Sequence, residues 1–130
     1  MSESSIQVVG PKNPNLPFHP AVRAGDFVFV SGQVPKDEKG VTISGTIEDE
    51  TRATIEAIRR VLAAAGCSLD DVVKVTTYLE DVRDFPRYNA VFKDYFPEGR
   101  LARTTVEARA VISTRIEMDC IAYRPLKGGE

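Results

Sequence analysis

The sequence predicts one α+β domain: a mixed β-sheet with two helices on one face. Three observations lead there. The chain has 130 residues, the length of a single domain that can bury one core. Its hydrophobic periodicity changes along the chain in the order strand, loop, helix, strand, helix, strand, strand. Its last segment, Thr114–Tyr123, alternates apolar and polar residues, the signature of a strand with one covered face. The domain is taken as residues 1–130, with residues 1–15 as an N-terminal strand or loop, partly flexible.

The elements follow in order. Residues 10–20 contain four prolines and forbid regular helix, so they read as a loop. Phe27-Val28-Phe29-Val30 is a short β-branched and aromatic run between Gly25-Asp26 and Ser31-Gly32, a buried strand bounded by turns. Val34 to Gly45, with Pro35, Asp37 and Gly40, reads as a long loop. Thr46-Ile47-Glu48-Asp49 resembles a capping box, and Ile55, Ile58, Val61, Leu62 and Ala65 recur on one helical face until Gly66 stops the helix. Val72–Leu79 is dense in Val and Thr and reads as a strand. Asp84 is placed to cap a second helix with Pro86 in its first turn; Tyr88, Phe92, Tyr95 and Phe96 give it an aromatic stripe, read as core packing. Two strands, near Ala102–Val111 and Thr114–Tyr123, are expected to close the chain around a tight turn at Ile112-Ser113.

Composition removes several function classes. Hydrophobic residues make up 42% and charged residues 28%, the balance of a globular chain. Seventeen Lys and Arg against nineteen Asp and Glu leave a net charge of −2, with no basic stripe of the kind that phosphate binding requires, so no nucleic-acid partner is expected. No apolar run approaches the ~18 residues of a membrane helix, and the polar, acidic start is no signal peptide, so neither a membrane partner nor secretion is expected. Cys67 and Cys120 read as reduced thiols of a cytoplasmic protein. With one histidine, His19, and two distant cysteines, no zinc-ligand spacing exists and no metal is expected.

Period-two alternation assigns side chains to faces. Along the penultimate strand Arg103, Thr105 and Glu107 fall on one side and Thr104, Val106 and Ala108 on the other. Along the last strand Arg115, Glu117, Asp119 and Tyr123 oppose Ile116, Met118, Cys120 and Ala122. The apolar sets are assigned to the helices. The polar sets, Arg103 and Glu117 included, are assigned together to the uncovered face. Two readings stand: a solvated face of cross-strand ion pairs, or a pocket or subunit interface in which an arginine fork grips a carboxylate.

Several segments then carry a resemblance. Phe29-Val30-Ser31-Gly32-Gln33, Asp84-Phe85 leading to Tyr88-Asn89, Ala102-Arg103-Thr104-Thr105-Val106-Glu107, and Ile116-Glu117-Met118-Asp119 with Ile121-Ala122 resemble, in the same order, the reactive intermediate/imine deaminase (RidA/YjgF) family. The resemblance runs from about Leu16 to Pro125. It implies a chorismate-mutase-like α+β subunit assembled as a homotrimer, with a barrel-like centre, helices outside and clefts between subunits. It also implies cofactor-free hydrolysis of 2-imino or enamine acids to 2-keto acids and ammonia. By the same resemblance Arg103 binds the substrate carboxylate and Glu117 orients or activates water. Gly32, with Ser31 beside it, brings backbone close to the ligand, and Asn89 shapes the pocket. Phe18 stands where family deaminases commonly carry Tyr, and Thr105 where a Cys often follows the arginine; both are counted among the substrate-binding positions.

The residues alone leave alternatives open. Asn89 is also placed to bond local backbone, Glu117 to pair with Arg103 or Arg115, Ser31-Gly32 to end a strand, and His19 either to replace the missing phenol or to serve as a loop residue. Two other functions use the same residues: a non-catalytic regulatory protein that binds a small carboxylate, and an endoribonuclease.

Overall fold

A computed structural model of the chain describes residues 5–126; residues 1–4, within the segment expected to be flexible, lie outside the described residues. The elements are β1 (Ile6–Val9), β2 (Ala21–Ala24), β3 (Phe27–Gln33), α1 (Ile47–Ala64), β4 (Val72–Leu79), α2 (Phe85–Tyr95), β5 (Ala102–Glu107) and β6 (Ile116–Tyr123). The strands form one sheet in the order β1-β2-β3-β6-β4-β5. Only β4 and β5 run parallel; every other neighbouring pair is antiparallel. Both helices lie on one face. There Val28, Val30, Val75, Ile116, Met118 and Cys120 of the sheet pack with Ile55, Ile58, Leu62, Tyr88 and Phe92 in one core. The α+β class with a mixed sheet and two helices is therefore as expected.

Helix α1 begins and ends on local chemistry. The Thr46 side chain accepts from the Asp49 backbone N–H at 3.1 Å, satisfying one orphan donor of the first turn. At the other end Gly66 takes φ +77°, Cys67 N–H bonds the Leu62 carbonyl at 2.8 Å, and Gly66 N–H bonds the Ala63 carbonyl at 3.0 Å. That pair of bonds is a Schellman stop, which needs a left-handed residue at Gly66. Asp84 precedes α2 as expected, but its side chain makes no cap; it pairs with Arg87 at 2.7 Å instead.

Three expectations are corrected. First, the closing strands are not neighbours. β5 ends at Glu107, β6 begins at Ile116, and β4 lies between them. The connection crosses the end of β4, where Ala108 N–H bonds the Leu79 carbonyl and Glu80 N–H bonds the Arg115 carbonyl. β6 carries four fully buried residues and takes a central place between β3 and β4, so a hairpin with the edge strand β5 is unavailable. Second, β2 is a strand that the expected element order lacks; its four residues are too few for a periodic signal, and pairing with β3 forms it.

Third, the faces of β5 are reversed. Val75 pairs with Cys120 on one side and with Arg103 on the other, and Thr77 pairs with Met118 and Thr105. Arg103 and Thr105 thus point to the helix side, while Thr104 and Val106 share the open face with Glu117 and Asp119. The open face is also not purely polar: Phe27, Phe29, Val106 and Tyr123 each leave about two-fifths of their surface exposed there.

A buried carboxylate ties the loop before α1 to β6. Glu50, 3% exposed in the first turn of α1, accepts from the Arg115 backbone N–H at 2.9 Å and from Gly45 N–H at 3.3 Å. The Arg115 guanidinium lies 3.4 Å from the same carboxylate and donates to the Gly45 carbonyl at 2.9 Å. Losing the acceptor strands two backbone donors and an arginine. Glu50→Ala is expected to lower unfolding free energy by about 2–4 kcal/mol in urea titrations, and Glu50→Gln by less, since one amide oxygen remains.

Candidate active site

Glu117 projects from the middle of β6 onto the open face. It lies opposite Tyr78 of β4, and its neighbour Asp119 accepts a hydrogen bond from the Tyr78 hydroxyl at 3.1 Å. Among the described residues Glu117 has no hydrogen bond or ion pair, and Arg115, one partner open to it, is engaged with Glu50 instead. Burial, and next the negative charge of Asp119, hold its pKa above the ordinary carboxylate range. Gly32 of β3 lies against it so closely that a Cβ would collide with the Glu117 carboxylate. The glycine is a matter of space here: only a residue without a side chain lets the carboxylate lie on the β3 backbone.

Ser31 beside Gly32 ties down the preceding loop. Its hydroxyl donates to the His19 carbonyl at 2.7 Å, and its N–H bonds the Pro20 carbonyl at 2.9 Å. This holds the Phe18-His19 segment next to the end of β3, with Phe18 half exposed. Glu117, Gly32, Ser31 and the Phe18 loop therefore form one group, centred on β3 and β6.

Arg103 belongs to a second group. Its guanidinium carbon lies 4.7 Å from the Phe92 ring centroid, 5.3 Å from that of Tyr88 and 5.6 Å from that of Phe85. These distances are those of cation–π attraction. Among the described residues none of its N–H donors has a hydrogen-bond or ion-pair partner. Arg103 lines a cleft of about 340 Å³ together with Asn89, Phe92, Lys93, Phe96 and Leu101. Asn89 makes no hydrogen bond to local backbone among the described residues, so its amide is available to the cleft. Thr105, two residues along β5, has a buried hydroxyl with no partner among the described residues.

The structure thus brings Arg103, Asn89 and Thr105 to one side of the sheet and Glu117, Gly32, Ser31 and Phe18 to another part of it. Sequence reasoning took the aromatic stripe as core packing alone and missed that Phe85, Tyr88 and Phe92 lie beneath Arg103, although Phe85, Tyr88, Phe92 and Phe96 have the i, i+3, i+7, i+11 spacing of one helical face. It also missed Tyr78, whose place opposite Glu117 needs the β4–β6 register. No group of acidic, histidine or cysteine side chains that would hold a metal ion occurs among the described residues.

Comparison with known proteins shows the family and the fold. Residues 11–124 match the family model described as Endoribonuclease L-PSP. A RutC family protein of Pyrococcus horikoshii is 46% identical over 110 residues, covering 83% of this chain and 87% of its own. A 3-aminoacrylate deaminase RutC of Acinetobacter baylyi is 38% identical over 112 residues, covering 85% and 89%. The crystal structure of Escherichia coli TdcF with bound serine superposes with a TM-score of 0.81 at 28% identity, covering 91% of this chain and 98% of that one. With its fold, its motifs and nearly its whole length matched, the chain belongs to the Endoribonuclease L-PSP family, the group of the reactive intermediate/imine (RidA/YjgF) deaminases.

Proposed function

We propose that this protein hydrolyses 2-imino and enamine acids to 2-keto acids and ammonia, without a cofactor, at sites shared between the subunits of a homotrimer. The observation that carries the reading is the Arg103 guanidinium, held in a cleft with its hydrogen-bonding fork free. A planar fork is suited to two parallel charge-assisted bonds with a carboxylate. The relative named a 3-aminoacrylate deaminase supports the substrate class.

The sheet supports the sharing of sites. Arg103 and Glu117 leave opposite faces, and β4 separates their strands, so the strands lie roughly 10 Å apart before the sheet's thickness is counted. One small substrate does not reach both within a subunit. A site that uses both takes Arg103 from one copy and Glu117 from the next. The exposed aromatic side chains of the open face give a second copy an apolar surface to cover.

In the proposed reaction Arg103 holds the carboxylate and Asn89 borders the same cleft. The protonated imine carbon is already electrophilic, so the enzyme places one water and moves protons. Glu117 accepts a proton as water adds to the C=N carbon. It returns that proton to the nitrogen of the resulting carbinolamine. The C–N bond breaks as the carbinolamine hydroxyl gives its proton to Glu117, the departing ammonia takes that proton up as ammonium, and the 2-keto acid remains. No electrons are exchanged with an outside partner.

A second reading is non-catalytic binding of a small amino or keto acid, favoured by the serine in the TdcF crystal structure. Supplying the imine with an amino-acid oxidase or dehydratase separates the two: binding without faster release of keto acid supports this second reading. RNA cleavage that depends on Arg103 would instead support the nuclease after which the family model is described.

Two outcomes are expected from the catalytic reading. Arg103→Lys keeps charge but loses the fork, and is expected to lower kcat/KM by about ten- to a hundredfold, Arg103→Ala by more. Glu117→Gln is expected to retain keto-acid binding and to lower kcat.

The pH behaviour of Glu117 is the further expectation. Activity should rise with pH as Glu117 ionises, with a midpoint above the ordinary glutamate value, and Asp119→Asn should lower that midpoint without restoring it fully, because burial is the larger cause. The folded-state pKa lies above the unfolded one, so this group's contribution to stability falls as pH rises from the ordinary value through the raised one. Glu117→Gln should therefore melt at a higher temperature than the parent at neutral pH, as read by calorimetry.

A further inference from the structure

The aromatic stripe of α2 has a second consequence besides core packing. Phe85, Tyr88 and Phe92 form a continuous row, with ring centroids 6.0 Å and 5.8 Å apart. Tyr88 is fully buried, and its hydroxyl is hydrogen-bonded to that of Thr77 on β4 at 2.7 Å. The central ring is thus fixed at its edge by the sheet. All three rings lie within 4.7–5.6 Å of the Arg103 guanidinium carbon.

We propose that Phe85, Tyr88 and Phe92 form a cradle that positions the Arg103 guanidinium for its ligand, a role that rests on Arg103 being the carboxylate anchor. An arginine side chain free in solvent loses rotamer freedom when it grips a ligand. A salt bridge to Asp or Glu would fix it too, but would occupy the fork and compete with the ligand carboxylate. Ring faces attract the cation through their quadrupole and offer no lone pairs to its N–H groups. Held this way, the guanidinium is ordered before the ligand arrives and its fork stays free. These are positioning residues: they act through Arg103 and take no part in proton transfer.

Phe85 separates this role from direct ligand contact. Its ring touches Arg103, yet it does not line the cleft as Phe92 does. Phe85→Leu keeps apolar volume and removes one ring; Phe85→Tyr keeps the ring. The test is calorimetric titration of the full-length protein with 2-oxobutanoate, with kinetics on the imine made in situ and NMR of the arginine Nε–H groups. Phe85→Leu is expected to weaken 2-oxobutanoate binding about three- to tenfold and to raise KM more than it lowers kcat. Phe85→Tyr is expected to stay within about twofold of the parent. In the parent the Arg103 Nε–H resonance should be shifted by ring currents, and Phe85→Leu should move it toward the position of a solvated arginine.

The failures are distinguishable. If Arg103→Ala abolishes binding while Phe85→Leu leaves both affinity and the resonance unchanged, the cradle is wrong and the anchor stands. If Arg103→Ala leaves binding intact, the anchor is wrong and the cradle falls with it. Should Phe85→Leu not fold, the parent spectrum decides: an Arg103 resonance already at the solvated position overturns the proposal.

Discussion

Side-chain alternation along β6 is the constraint from which the rest follows. Ile116, Met118, Cys120 and Ala122 are buried against the helices, so Glu117, Asp119 and Tyr123 must leave the opposite face. A strand in the middle of a sheet cannot slip by one residue without exposing its whole apolar set. The core therefore fixes the position of Glu117. The same core makes the carboxylate costly to ionise, because β3 closes over it at Gly32 and Asp119 stands beside it. Burial that would be wasteful on an ordinary surface gives a carboxyl group suited to taking and returning a proton.

The second half of the candidate site is built by different means. Arg103 stands on an edge strand and faces the helices, where an unpaired cation is unusual. Aromatic rings make that place tolerable without satisfying its donors. The molecule thus presents a half-buried carboxyl group on one face and an open cationic fork on the other. In the proposed assembly the exposed rings of Phe27, Phe29 and Tyr123, on the same face as Glu117, are the surface that a second copy covers.

Much of the fold was legible because the strongest signals are local. Thr46 and Gly66 bracket α1 by cap chemistry, and the apolar spacing from Ile55 to Leu62 needs no partner to be recognised. Phe27–Val30 and Val72–Leu79 are dense in β-branched and aromatic residues. What escaped depends on pairing. Neither β2 nor the order β6-β4-β5 has a local signature, since both arise from which strands meet. The face of Arg103 was misassigned for a related reason. Alternation sorts residues into two sets but does not say which set meets the helices, and on β5 the polar set does, because rings on α2 receive the guanidinium. The candidate residues themselves were visible from their motifs; their division between two faces needed the register.

That division is tested most directly by mixing two impaired variants. Arg103→Ala and Glu117→Gln subunits are unfolded together in equal amounts, refolded and assayed for imine hydrolysis beside each variant treated alone. If each site draws its arginine from one copy and its carboxylate from the next, some sites in the mixture regain both. The expected recovery is about a quarter of the parent activity, since each contributing copy carries its intact residue half the time. A mixture no more active than the average of its two components, with mixed oligomers demonstrated by mass spectrometry, would contradict a site shared between subunits.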